Sequence, residues 1–212
     1  MRVYALWHVE HGYEYRWRTL LQFGTSWNVI GSVYMKNPGS ASPIDPPPPI
    51  NPQILTELNK FSMSTEWKKF TPDNTMKCIE KLFNESRIAP LQGIIQVFNL
   101  FNLKDADFDS ALKKLKAGGC NHQYVHTFDE DLTNLVFPVY LGWGDLWKDS
   151  YFKNHYSNEI KSIFDEAEDS AKKRNKKWYD PKHFYHPKFL YRHPHSVDGN
   201  VETEKKAFLA MV

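Results

Sequence analysis

Cysteine is scarce in this chain of 212 residues, with Cys78 and Cys120 its only two. Two thiols cannot build a disulfide scaffold or the four-cysteine set of a structural zinc or iron–sulfur site, and they read as reduced thiols. Long apolar runs are missing as well. No uninterrupted stretch reaches the ~20 residues of a membrane-spanning helix, and Arg2 and Glu10 interrupt the N-terminus where a secretory leader would be apolar. These absences predict a soluble, cytoplasmic protein without membrane contact. No internal repeat is visible either. What is present suffices for a core: 41% apolar and 15% aromatic content predict one globular domain over 1–212, and a monomer is expected. Within it, 1–26 reads as an N-terminal strand or hairpin extension and 197–212 as a loop and tail.

A net charge of +2 conceals an uneven distribution. From Lys172 to Arg192 eight Lys or Arg face one acid, Asp180, with Trp178, Tyr179, Phe184, Tyr185, Phe189 and Tyr191 interleaved. Cations neutralise phosphates and aromatic faces stack on exposed bases, so the mixture suits a nucleic acid, with Lys188 and Arg192 as DNA contacts. The same pattern also fits a solvated helix end followed by a core-packing aromatic segment.

Periodicity places the elements. Val3 to Phe23 alternates loosely and is rich in Tyr and Trp, which predicts an edge hairpin turning near His11-Gly12. Three short apolar runs predict central strands: Trp27 to Met35, Gly93 to Phe101 and Leu135 to Leu141, the last with Pro138 inside it. Helices are expected at Gln53 to Phe61, Thr75 to Ser86, Phe108 to Ala117 and Asn158 to Lys173. The prolines between Ser40 and Pro52 read as an extended surface loop. Alternating strands and helices argue for a three-layer αβα fold around a central, mostly parallel sheet.

In such a fold, polar groups past the strands' carboxyl ends line the ligand crevice. Asn37-Pro38-Gly39 follows the first run, Asn99 closes the second and Gly142-Trp143-Gly144 follows the third. His193-Pro194-His195-Ser196 comes late in the chain. In order and content these segments resemble the uracil-DNA glycosylase superfamily, in its mismatch-specific and single-strand-selective branches. Asp73-Asn74-Thr75, with Cys78 after it, and Asn99-Leu100-Phe101 are similar to motifs of an uncharacterised bacterial domain family. That family has an Asn-Pro-Ser-type loop and a Trp-Gly turn, and the resemblance to it is the nearer one.

The resemblance implies a metal-free, cofactor-free DNA glycosylase. Such an enzyme hydrolyses the N-glycosidic bond of a base flipped out of single- or double-stranded DNA and leaves an abasic site. Asn37, with Asp45 in the same loop as a candidate base, would position water. His193 would stabilise the departing anion. Gly39, where the uracil-restricted branch has a tyrosine, would leave room for a mismatched or modified pyrimidine, including the hypermodified bases of some phages. Asn99 would read the base edge, with Asn102 as the fallback, Phe101 would join it in binding the base, and Trp143, mostly architectural, would serve as core or pocket wall. Lys36, His195 and Ser196 join Lys188 and Arg192 as DNA contacts. The sequence departs from the family at two places. The glycine that opens the Gly-x-Asn-Pro-Gly loop is absent, and His195 stands where serine is usual. Repair and anti-phage defence both fit.

Two other classes stay open. One is a nucleic-acid-binding module that kept the fold without the chemistry. The other is a metal-dependent nuclease or hydrolase drawing on His8, Glu10 and His11, or on Cys120, His122 and His126. The Pro-Cys-x-x-Cys of zinc deaminases is lacking.

Overall fold

The computed structural model describes residues 1–85, 89–192 and 199–212. Strands β1 (Arg2–Glu10) and β2 (Tyr13–Phe23) form a hairpin, and β3 (Val29–Met35) follows. Helix α1 (Pro52–Leu58), strand β4 (Trp67–Phe70), helix α2 (Asn74–Asn84) and strand β5 (Gly93–Asn99) come next. Helices α3 (Phe108–Lys116), α4 (His122–Val125) and α5 (Phe128–Thr133) lead to β6 (Val139–Leu141). After a 3-10 turn the chain closes with α6 (Ser150–His155), α7 (Ser157–Lys172), α8 (Pro187–Arg192) and α9 (Gly199–Leu209). Among the described residues no helix is long and apolar enough to cross a membrane.

Among the described residues the strands form one six-stranded sheet, in the order β4-β1-β2-β5-β3-β6. The pairings β4-β1, β1-β2 and β2-β5 are antiparallel, whereas β5-β3 and β3-β6 are parallel. The expectation of a mostly parallel sheet is therefore corrected: the sheet is mixed, and its parallel part is the three strands read from the apolar runs. Alternation reveals which residues are strand but carries no direction. The direction of β1 and β2 is set by their turn, where His11 and Gly12 both adopt positive φ, 50° and 79°, as a two-residue hairpin whose twist matches its strands requires. The N-terminal segment is also no edge extension. β2 pairs with β5 from Thr19↔Val97 to Phe23↔Gly93, and the outer place belongs to β4, whose adjacent Lys68 and Lys69, both half-buried, hide a four-residue strand from periodicity.

Helices cover both faces. On one, Tyr34, Phe98, Phe101 and Trp143 pack with residues of α3 and α7. On the other, Val33, Met35, Ile95 and Val97 pack with α2, Leu190 of α8 and Phe208 of α9. Helix α2 forms because Asp73 caps it, its carboxylate accepting from Met76 N at 2.9 Å. Its buried Met76, Ile79, Leu82 and Phe83 repeat at helical spacing.

A β-bulge in β2 decides the polar chemistry of both faces. Tyr4 pairs with Leu20 but Leu6 with Trp17, so β2 carries one residue more than β1 across this step, and Arg18 takes φ 46°. Past the bulge the alternation is inverted. Arg18 lies over Phe98, 5.7 Å from the ring centroid, on the face of Trp17 and Leu20. Arg16 lies over Phe70 at 5.6 Å, on the face of Thr19, Val97 and α2.

Candidate functional site

The carboxyl ends of the parallel strands β3 and β5 open into a cleft with a cavity volume of about 160 Å³. A cavity of about 150 Å³ holds one benzene ring, so the space suits a single aromatic heterocycle. Asn37 and Gly39 contribute from the loop after β3, and Asn99 from the end of β5. Asp73 and Met76 stand at the start of α2, Arg16 and Thr19 on β2, Asp105 and Phe108 before and at the start of α3, and His186 and Lys188 at the start of α8.

Asn37 is held from below. Its Nδ2 donates to Pro38 O at 3.0 Å and to Asp105 O at 3.4 Å, while Asp105 N donates to Pro38 O at 3.3 Å. The two loops that follow β3 and β5 are thus tied together by one amide. With both Nδ2 contacts spent on carbonyls, Oδ1 is the atom left to accept from a ligand or water. Asn99 is 4% exposed and borders the cleft on the face of Ile95 and Val97. Among the described residues its side-chain amide has no hydrogen-bond partner, so it is available to read a donor–acceptor edge.

Two carboxylates line the cleft, and they differ. Asp105 is committed: Lys114 donates to it at 2.8 Å, Ser110 Oγ at 2.8 Å and Asp107 N at 2.9 Å. The hydrogen bond from Lys114, opposed by burial and helped by the weaker hydrogen bonds of Asp107 and Ser110, holds its carboxyl at about 2. Asp73 uses Oδ1 as the helix cap, and its Oδ2 lies 3.2 Å from where a Cβ on Gly39 would stand. The space beside Gly39 is therefore bounded by a carboxylate, where the sequence reading expected an open slot. Lys36 reaches over the Phe108 ring, its Nζ 4.7 Å from the centroid, at the mouth of the same cleft. His186 Nδ1 accepts from Lys188 N at 3.2 Å, which leaves the ring proton on Nε2.

Of the residues chosen from sequence, the cleft brings together Asn37, Gly39, Asn99, Lys36 and Lys188. Others are elsewhere. Asp45 is exposed and off the cleft, because Ile44 N donates to Lys69 O at 2.9 Å and Pro43 bridges Phe70, which lay the proline loop along the β4 edge. Phe101 is a fully buried core residue off the cleft, and of the two places open to Trp143 the structure gives it the core. Phe101 packs on Phe152, and Trp143 stacks on Phe184 at 4.9 Å, on the opposite side of the sheet. Asn102 is spent on Tyr124 O and Thr127 Oγ1, each at 3.1 Å. His193, His195 and Ser196 lie outside the described residues, as does the side chain of Arg192.

Arg16, Thr19, Asp73 and His186 were missed. A signal existed for two of them: Asp73 opens the Asp-Asn-Thr helix start, and His186-Pro187 is a second His-Pro step ahead of His193-Pro194. Nothing in the sequence marks Arg16 or Thr19, since only the bulge turns them toward the cleft.

Several residues of the metal-binding alternatives have other partners. His8 Nδ1 pairs with Glu66 at 2.7 Å and its ring stacks on Tyr124 at 4.1 Å, and Glu10 accepts from Asn121 Nδ2 at 2.7 Å. His126 Nδ1 bonds to Leu100 O at 2.9 Å. Among the described residues no group of three or more His, Cys, Asp or Glu is arranged to hold a metal ion. Compared with protein-family models, with characterised proteins and with solved structures, the chain gives no significant match.

Proposed function

We propose that this protein is a DNA glycosylase acting on a flipped, modified or mismatched pyrimidine, and that the cleft at the ends of β3 and β5 is its active site. The observation that carries the reading is the convergence of Asn37 and Asn99, distant in sequence, on one cleft sized for a single ring. The motif resemblance assigned roles to both residues independently of any structure.

In this reading Asn37 Oδ1 accepts from the attacking water and aims its oxygen at the sugar C1′. The amide's two ties to backbone carbonyls fix that direction before substrate arrives. The water oxygen bonds to C1′, the C1′–N bond breaks, and its electron pair leaves on the base nitrogen. The water proton passes to Asp73, the cleft carboxylate not already committed, which takes the place given to Asp45 from sequence. Asn99 donates to and accepts from the base edge. A base without the matching groups leaves that amide unsatisfied in a buried site, which is a source of discrimination. Lys36 and Lys188 at the mouth supply phosphate contact and offset the few kcal/mol of unstacking, whereas Trp178, Tyr179, Phe184, Tyr185, Phe189 and Tyr191 of the stretch leading into α8 pack against the core.

The test is incubation, with EDTA present, of DNAs carrying uracil, mismatched thymine, 5-hydroxymethylcytosine or its glucosylated form, followed by alkaline cleavage of abasic sites. Strand breaks that disappear in Asn37→Ala support the proposal and name the base class. Absence of breaks on every substrate with DNA binding retained would replace it with the binding-module reading.

A further inference from the structure

The floor of the cleft holds a cation without a counter-ion. Arg16 is 5% exposed. Its Nη1 donates to Ala41 O at 3.0 Å, its carbon lies over Phe70, and its Nε has no hydrogen-bond partner. Among the described residues no carboxylate makes an ion pair with it. Asp73 acts on it only through space, and burial, the larger effect, pulls the guanidinium down to about 10. Beside it Thr19, 1% exposed, also has an unpartnered Oγ1. Both residues line the cleft.

Burying an unpaired charge is costly, and a fold retains one where something else pairs with it. The bulge in β2 is what turns Arg16 to this face rather than to the opposite one. The matching arginine, Arg18, also has guanidinium nitrogens without a hydrogen bond, but it has an ion-pair partner, its Nη2 standing 2.7 Å from Glu130 Oε1. Of the cleft carboxylates, Asp105 is spent on Lys114. Asp73, the other, acts on Arg16 only through space, which leaves the guanidinium able to take an acceptor from a ligand.

We propose that the cleft binds a pyrimidine through an anionic or anion-developing edge, a ring nitrogen flanked by carbonyl oxygen, which pairs with the Arg16 guanidinium and accepts from Thr19 Oγ1. That the ring is a pyrimidine rests on the glycosylase reading; that the edge is anionic rests on Arg16 alone. A planar guanidinium matches a planar N–C=O edge with two parallel donors. When the glycosidic electron pair arrives on the base nitrogen, its charge spreads to the adjacent carbonyl oxygen. Arg16 then holds the leaving group more tightly than the neutral nucleoside, which is where binding energy lowers a barrier.

The experiment is calorimetric titration of the full chain, at one fixed pH, with uracil, 5-fluorouracil and 5-nitrouracil, in order of increasing N–H acidity. The expected result is affinity rising along the series and a slope lost in Arg16→Met, with the tightest ligand weakened by about tenfold or more, as for one charge-assisted hydrogen bond. Thr19→Val, close in shape, is expected to weaken it severalfold. A flat series with the wild-type chain overturns the inference, and needs no variant that folds. So does a rising series that Arg16→Met leaves unchanged. Strand cleavage is scored separately. Acidity-dependent binding without cleavage on any DNA supports the anionic edge while sinking the enzyme reading; cleavage with a flat series sinks only the role given to Arg16.

Discussion

Oδ2 of Asp73 stands 3.2 Å from where a Cβ on Gly39 would lie, so the end of the Asn-Pro-Gly loop and the cap of α2 are in contact. One aspartate thus serves the helix with Oδ1 and the cleft with Oδ2. Asparagine caps a helix about as well as aspartate, whereas alanine costs about 1 kcal/mol. Asp73→Asn is therefore expected to melt close to the parent yet lose abasic-site formation, and Asp73→Ala to lose both. Thermal denaturation paired with the cleavage assay checks this. Full activity in Asp73→Asn would remove Asp73 as the proton acceptor.

Asn37→Ala cuts the tie between the loops after β3 and β5 as well as the contact to water. A reacting group misplaced by about 1 Å costs about 10²-fold in rate, and single-turnover cleavage should fall by at least that much while the melting temperature moves little. Asn37→Asp is expected to fare no better, because it sets a carboxylate oxygen against Pro38 O and Asp105 O. A drop of less than about tenfold in Asn37→Ala, well short of that 10², would argue that water is positioned elsewhere.

Lys36 and Lys188, at the cleft mouth, are assigned to phosphates. Replacing either with alanine should weaken DNA binding to all sequences alike and lower the salt dependence, log K against log salt, by about one unit each. Equilibrium binding across a salt series measures it. A change confined to one base would assign the lysine to base reading instead.

Two buried groups on the far side of the sheet make stability depend on pH with opposite signs. Burial raises the Asp131 carboxyl to about 7, opposed by Arg18 and by hydrogen bonds from Tyr34 at 3.0 Å and Thr127 at 3.1 Å. Between about 4, its value in the unfolded chain, and about 7, the folded state holds a proton that the unfolded state has released. Its contribution to stability therefore falls as pH rises through that window. Burial lowers His126 to about 4, opposed by the Leu100 carbonyl. Between there and the unfolded value of about 6.5, the unfolded chain holds the extra proton, and this contribution rises with pH. Denaturant titrations from pH 4 to 8 should show the two partly cancelling below about 6.5. Asp131→Asn should steepen the rise there and remove the fall above it. No change of slope in the variant would mean that Asp131 stays ionised.

The sequence by itself determined where three central strands and the longer helices lie, and part of the cleft. Apolar runs that end in Asn, Pro or Gly, and amphipathic segments capped by Asp73 or Asp107, are local patterns, and local physics reads them. Hence β3, β5 and β6, with α2, α3 and α7, lie close to where periodicity put them, and Asn37, Gly39 and Asn99 meet. Tertiary structure alone decided the rest. Strand direction depends on a turn, and the proline loop follows the β4 edge because backbone groups near Ile44 pair there, which carries Asp45 away. Phe101 enters the core, away from the cleft, because it packs on the helix-covered face with Phe152. Most of all, a single extra residue in β2 inverts the alternation and sends Arg16 to the cleft that Asn99 borders and Arg18 to Glu130. Which side chain a strand shows to a cleft depends on a register that no local pattern records.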